Sequence, residues 1–149
     1  MDNIIDFLIN LRRIIQLYES MLKEICKDYQ LTLAEATIIS FLHNNPGKDT
    51  AADIVEFRRM QKSNVSAAVE SLYQRGLLDR SQDQEDRRKI HLTLTASASP
   101  IVKTIDGLIK EFRGELFCGI TEEELNAFFD INKKIKDNTI LATERRGLK

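Results

Sequence analysis

The sequence is poor in the residues that build metal centres, disulfide frameworks and tight loops. Its 149 residues include two cysteines, two histidines, two prolines and six glycines, and no tryptophan. Cys26 and Cys118 lie far apart and belong to no CxxC or Cys/His pattern, and His43 and His91 have no partners at ligand spacing. We therefore expect two free thiols in apolar helices, with redox sensing as the alternative role, and neither a metal nor another cofactor.

Long apolar runs are also absent. No stretch approaches the roughly 18 residues that a membrane-spanning helix needs. The start, Met1-Asp2-Asn3, has neither the basic residues nor the apolar stretch of a secretory signal, so we expect a cytoplasmic protein without a membrane segment. The sequence argues against an enzyme, because it has no Ser-His-Asp or Cys-His set in recognisable context and no glycine-rich phosphate loop.

The composition, 42% hydrophobic and 30% charged, is that of one ordinary globular domain. A net charge of −1 does not by itself indicate nucleic-acid binding. Between Arg58 and His91, however, eight basic residues stand against five acidic ones, a local excess of +3. Because duplex binding depends on a basic face rather than a basic total, this segment is where we look for DNA contacts.

The first 30 residues carry a sustained apolar repeat. Spacings of four and three alternate along Ile4, Leu8, Leu11, Ile15, Tyr18, Leu22, Ile25 and Tyr29. This 3.5-residue period predicts one long helix. Other apolar residues widen the stripe, so we expect the helix to pack both on its own domain and on a second subunit.

Capping signals and apolar spacing predict five further helices. Thr32–Glu35 and Thr121–Glu124 are capping boxes that start the second and the last helix. The third is predicted at about 50–57, the fourth at about 62–74 and the fifth at about 95–117. The last helix is expected to turn four apolar side chains inward, namely Leu125, Phe128, Ile131 and Ile135.

Between the fourth and fifth helices the pattern changes to short strands. The sequence predicts two short strands, at residues 77–81 and 90–94, joined by a wholly polar segment. This pattern indicates a hairpin with a charged tip. The predicted fold class is mainly α with a small β-hairpin wing. We interpret residues 1–149 as a single chain in which 31–94 form a winged helix-turn-helix region, and 1–30 and 95–149 form dimerisation helices.

Two polar clusters are the candidate DNA-binding residues. The first comprises short donors and acceptors with one cation at the start of the fourth helix, the end that enters a major groove: Gln61, Lys62, Ser63, Asn64 and Ser66. The alternative interpretation is that these residues only cap the helix and face solvent.

The second cluster, Arg87, Arg88 and Lys89 at the hairpin tip, suits the negative potential of a narrow minor groove. A solvated turn neutralised by its acidic neighbours is the alternative. We expect Asp86 to orient one arginine through a bidentate pair. Arg88 is the expected groove contact, and Arg87 a backbone or solvent cation.

Residues 62–80 and 86–95 resemble the recognition helix and wing of the MarR family, the multiple-antibiotic-resistance regulators. The wing signature is Asp86-x-Arg88 followed by a strand ending Leu94-Thr95, and its spacing matches the family's without a gap. The resemblance implies a homodimer on a pseudo-palindromic operator of double-stranded DNA, with Arg88 in the minor groove and the start of the fourth helix reading bases. It also implies repression relieved by a small, often phenolic or lipophilic, ligand or by cysteine oxidation; the ligand-binding residues stay unassigned.

The sequence departs from that family at two places. Ala67 stands where many members carry an arginine, and Ala96-Ser97-Ala98 replaces a charged pair and glycine at the entry to the fifth helix. The predicted function is a sequence-specific DNA-binding transcriptional regulator, a homodimeric repressor relieved by a small ligand. The alternative is a winged-helix module for protein contact, with weak or no DNA binding.

Overall fold

The computed structural model describes residues 2–148. The elements in this range are α1 (Asn3–Tyr29), α2 (Leu33–Asn44), α3 (Ala51–Arg58), α4 (Lys62–Gln74), β1 (Leu78–Gln82), β2 (Ile90–Leu94), α5 (Ser99–Leu116) and α6 (Glu122–Arg145). The order confirms the predicted fold class, a mainly helical winged helix with one antiparallel hairpin and flanking helices. By its internal contacts the chain divides into two compact units after Phe112.

Most helices begin where a side chain satisfies the free backbone N–H groups of the first turn. Thr32 and Glu35 form the predicted capping box of α2, and Thr121 starts α6 in the same way. Thr50 forms a further box at α3, and the Asp2 carboxylate accepts a hydrogen bond from the N–H of Ile4 at 2.8 Å. These local bonds explain why the helix starts follow closely from the sequence.

The first unit has one apolar core, built around α2. The largest fully buried side chains come from α1 to α5 and from β1: Leu22, Ile38, Ile39, Ile54, Val65, Leu72, Leu78 and Ile105. On α1 only the C-terminal half contributes buried residues, while Leu8 and Ile15 of the N-terminal half are 50% and 56% exposed. The apolar repeat of α1 is thus covered along half of its length.

One ion pair links the end of α1 to α2 and α4. Arg75 donates to the backbone oxygens of Tyr29 and Gln30 at 2.9 Å each, and its Nη1 lies 3.5 Å from Oε2 of the buried Glu35. Ser71 on α4 donates to the same carboxylate oxygen at 3.2 Å. A buried carboxylate requires such partners, and here they fix the C-terminal end of α4 against α1.

Helix α6 departs from the prediction. Phe128, Ile131 and Ile135 are 47%, 56% and 43% exposed, so the expectation that they turn inward is wrong for the single chain. They lie on a helix with no buried residue, because the second unit has too few elements to cover this face.

The position of one thiol and the first residue of α5 also differ from the sequence predictions. Cys26 is buried in α1, and this burial raises the pKa of its thiol, whereas Cys118 is exposed in the turn after α5 rather than in an apolar helix. Residues Ala96–Ala98 form a 3₁₀ turn, so α5 starts at Ser99 with Pro100 in its first turn. None of the helices between residues 2 and 148 has the length and apolar character required to span a membrane.

Candidate nucleic-acid interface

Helices α3 and α4 form a helix-turn-helix. Only residues 59–61 separate them, and Arg59 adopts a left-handed conformation (φ 53°) that ends α3 and redirects the chain. One face of α4 is anchored in the core by buried Val65, Ala68, Val69 and Leu72. The opposite face is solvent-exposed, and at its N-terminal end it presents the predicted cluster Gln61, Lys62, Ser63, Asn64 and Ser66.

The N-terminus of α4 differs from those of α1, α2, α3 and α6. Gln61 occupies the capping position without a side-chain hydrogen bond, and the first turn holds no acidic residue. Its N–H groups and the positive end of the helix dipole therefore face solvent without an internal counter-charge. An anion such as a DNA phosphate is stabilised by this arrangement, and the exposed side chain of Lys62 adds a charge beside it.

The wing is a hairpin whose strands are fixed at their base. Strands β1 and β2 pair from Leu78 with Leu94 to Gln82 with Ile90, and Leu78 and Leu92 are buried in the core. The backbone N–H of Leu92 donates to the carbonyl oxygen of Asp49 at 2.8 Å, which ties β2 to the loop before α3. The seven residues 83–89, which we call the wing loop, extend beyond this anchored base.

Backbone hydrogen bonds to two aspartates shape the wing loop. Oδ2 of Asp83 accepts from the N–H groups of Glu85 and Asp86 at 3.0 and 2.9 Å. Oδ1 of Asp86 accepts from the N–H of Arg88 at 3.0 Å and lies 3.5 Å from its Nε. Asp86 thus contacts Arg88 through one oxygen, not through the predicted bidentate pair, and the Arg88 side chain is 94% exposed.

A histidine joins the wing loop to the rest of the domain. His91 on β2 places Nδ1 2.7 Å from Oδ1 of Asp49 and Nε2 2.7 Å from Oδ1 of Asp83. The hydrogen bond to His91, followed by those from the backbone of Asp86 and Glu85, lowers the pKa of Asp83 to about 2. The hydrogen bonds to Asp83 and Asp49 raise the pKa of His91 above its usual 6.5.

Sequence reasoning missed this triad because it tested His91 only as a metal ligand. The available signal was a histidine on the second strand of a hairpin whose loop begins with an aspartate. Asp49 gave no signal, since it lies 42 positions away.

Ion pairs concentrate the free positive charge at α4 and the wing loop. Arg75 is held by Glu35, and Arg80 pairs with Glu70 at 2.8 Å while its guanidinium lies 3.8 Å from the ring centre of Tyr73. Lys62, Arg87 and Lys89 pair with no acidic group in the part of the chain that the structure describes, and Arg88 meets Asp86 only at 3.5 Å. Arg58 and Arg59 at the end of α3 also lack an acidic partner among residues 2–148, so the free cations lie at the turn before α4 as well as in the two predicted clusters.

Comparison with known proteins agrees with this geometry. Residues 29–89 match the sequence pattern of the MarR family. The Bordetella bronchiseptica protein BpsR, whose DNA binding is regulated by 6-hydroxynicotinic acid, is 25% identical, with 88% of this chain and 98% of that chain covered and a TM-score of 0.67.

Two further solved structures share the fold. A MarR-family transcriptional regulator from Listeria monocytogenes, solved in complex with 26mer DNA, covers 95% of both chains at 19% identity and a TM-score of 0.78. A MarR-family transcriptional regulator from Silicibacter pomeroyi covers 86% of both chains at 23% identity and a TM-score of 0.75. The matched winged-helix region and these structural relatives support a MarR-family winged-helix regulator.

Proposed function

We propose that the protein is a cytoplasmic homodimeric repressor that binds a pseudo-palindromic operator and is released by a small ligand. The observation that carries the DNA-binding mode is the uncapped, acid-free N-terminus of α4 beside a protruding wing with a 94% exposed Arg88. The structure of the Listeria relative with 26mer DNA supports a duplex as the partner.

The proposed contacts divide by groove. Side chains at the start of α4 read base edges and a phosphate in the major groove, namely Gln61, Lys62, Ser63, Asn64 and Ser66. Arg88 enters the adjacent minor groove, Asp86 holds the backbone from which it projects, and Arg87 and Lys89 contact phosphates. Exposed Ala67 adds no polar contact, so the base preference depends on the first turn of α4.

The exposed apolar faces support the proposed dimer. Large side chains that are between 38% and 56% exposed line the N-terminal half of α1 and much of α6, among them Ile4, Leu8, Leu11, Ile15, Phe128, Ile131 and Ile135. An exposed apolar face on a helix is typical of a protein interface. We assign residues 1–30 and 95–149 to dimerisation and 31–94 to DNA binding.

We predict that the chain sediments at twice its 17.1 kDa mass at micromolar concentration. A Leu8→Glu substitution should shift the equilibrium to monomer, because two carboxylates would be buried in the apolar contact. Glu24→Gln, at an exposed polar position on the same helix, is the matched control and should remain dimeric. A wild-type chain that stays monomeric would exclude recognition of two half-sites spaced by one helical turn of DNA, about 34–36 Å.

A cleft in the first unit supports the proposed ligand. It has a volume of about 470 Å³ and lies between α1, α3 and α5, with Tyr18, Phe57 and Phe112 as aromatic walls and the charged residues Glu19 and Arg58 in its lining. An aromatic ligand fits the apolar part of this lining, and the regulation of BpsR by 6-hydroxynicotinic acid provides a precedent. A ligand between α1 and α3 would move the helix-turn-helix relative to α1 and so change the spacing of the two recognition helices.

The DNA-binding proposal is tested by selecting duplexes from a random-sequence library with the wild-type chain and titrating the selected duplex with salt. We expect the logarithm of the binding constant to fall linearly with that of the salt concentration, with a slope of about −0.9 for each phosphate neutralised. Failure to enrich any sequence, or binding that is insensitive to salt, would favour the protein-contact module instead.

A further inference from the structure

We propose that protonated His91 is a positioning residue that locks the wing loop onto the domain, so that DNA affinity falls as the pH rises through the titration of this histidine. The inference rests on the proposed DNA-binding function and adds a control of it. The triad of Asp49, His91 and Asp83 is called the wing clamp below.

The geometry of the wing clamp suits the imidazolium form. Both ring nitrogens lie 2.7 Å from a carboxylate oxygen, one in the loop before α3 and the other in the wing loop. Carboxylates only accept hydrogen bonds, and a neutral imidazole has a single N–H to donate. Loss of the proton therefore leaves a ring lone pair facing a carboxylate at hydrogen-bond distance, and one of the two contacts must break.

A continuous path of hydrogen bonds connects this proton to the groove-contacting arginine. Oδ1 of Asp83 forms the hydrogen bond with His91, and Oδ2 accepts hydrogen bonds from the N–H groups of Glu85 and Asp86. The orientation of this carboxylate therefore fixes the first turn of the wing loop. Asp86 in turn accepts from the N–H of Arg88. If Asp83 rotates away from a neutral ring, its bonds to the N–H groups of Glu85 and Asp86 are lost, which loosens the turn that carries Asp86 and Arg88.

The sign of the pH effect follows from the two shifted groups. The pKa of His91 is raised above 6.5. The protonated ring therefore holds the wing loop fully below pH 6.5, and this stabilisation is lost as the pH rises through the raised pKa. The pKa of Asp83 is lowered to about 2, so that carboxylate stays charged throughout this window. The charges acting on the ring are Asp49 and Asp83, and nearby DNA phosphates would stabilise the imidazolium further.

The test measures the affinity for the library-selected duplex between about pH 6 and about pH 8.5 at constant salt. We expect a loss of roughly threefold to tenfold with rising pH, since one pKa unit between free and bound protein corresponds to a factor of ten. His91→Arg should bind tightly at every pH, because a guanidinium bridges two carboxylates without titrating, and His91→Gln should bind weakly at every pH. His43→Gln, which removes the other histidine, should keep the wild-type profile.

A second variant separates positioning from simple charge. Asp49→Asn removes a negative charge but leaves the wing loop sequence intact. Electrostatics alone predicts tighter DNA binding by this variant. The wing clamp predicts weaker binding at neutral pH and a loss of DNA affinity that begins at lower pH than in the wild type. Tighter binding with an unchanged profile would overturn the proposal.

A measurement without DNA distinguishes failure of the wing clamp from failure of the proposed function. In free protein, the amide NMR signals of Glu85, Asp86 and Arg88 should titrate together with the His91 ring and become pH-independent in His91→Arg. Wing amides that do not follow His91 would overturn the wing clamp, as would wing amides that titrate while DNA affinity stays flat. If no duplex is bound at any pH, the proposed function fails, and with it the link between the proton and DNA.

Discussion

An Arg88→Ala chain is expected to bind the selected duplex about tenfold or more weakly for each wing engaged. The side chain is 94% exposed, and its one ion-pair contact is with Asp86 at 3.5 Å, so little internal bonding competes with a phosphate or a minor groove. The wing loop backbone is held by Asp83 and Asp86 independently of this guanidinium. The loss should therefore appear in affinity and in the salt slope, measured by fluorescence anisotropy, while the thermal unfolding temperature stays at the wild-type value.

Two companion variants identify the cause of that loss. Arg88→Lys keeps the charge but not the planar guanidinium, so recovery of only part of the affinity would indicate groove contact rather than general attraction. Lys110→Ala removes one exposed cation from α5 and should change affinity little. Equal losses in Arg88→Ala and Lys110→Ala would contradict a specific role for the wing.

The second large effect is expected from Leu72→Ala, which should lower the free energy of unfolding by about 2–5 kcal/mol. Leu72 is fully buried on the inner face of α4, and its truncation leaves a cavity where α4 packs on the rest of the core. A loss of this size is a large fraction of the roughly 5–15 kcal/mol that stabilises a typical domain. Urea unfolding followed by circular dichroism measures it directly.

Ser63→Ala is the matched control on the outer face of the same helix. Ser63 is exposed and forms no part of the core, so its change in stability should stay within about 0.5 kcal/mol while DNA affinity falls. Leu72→Ala at a temperature where it remains folded should retain the sequence preference of the wild type. If Leu72→Ala were as stable as Ser63→Ala, Leu72 would not be packed in the core.

The parts of the fold that were predictable depend on local physics. The start of α2 at Thr32 and of α6 at Thr121 follow from capping boxes that span four residues. The range 62–74 of α4 follows from its apolar spacing and from Gly76, whose φ of 73° suits the turn after the helix. The hairpin follows from the strict alternation of apolar and polar residues in β2. The hydrogen bond from Leu92 of β2 to Asp49 forms only in the tertiary structure.

The errors and omissions involve partners that are distant in the chain. Apolar spacing predicts that Phe128 and Ile131 turn inward, whereas both are exposed. The spacing specifies an apolar face of the helix but not what covers that face. The hydrogen bonds from Arg75 to the end of α1 join residues more than 40 positions apart, and no local sequence pattern predicts them. In the same way, nothing near His91 indicates that Asp49 will meet it.

The sequence by itself determined the order of elements, the resemblance to the MarR family and the two clusters proposed to touch DNA, because spacing, capping and alternation act over a few residues. The tertiary structure decided which charges those clusters present. It removed Arg75 and Arg80 from the basic face by pairing them with Glu35 and Glu70, and it left the N-terminus of α4 uncapped. It also brought His91 between two carboxylates, since only folding sets the distances at which hydrogen bonds form and pKa values shift.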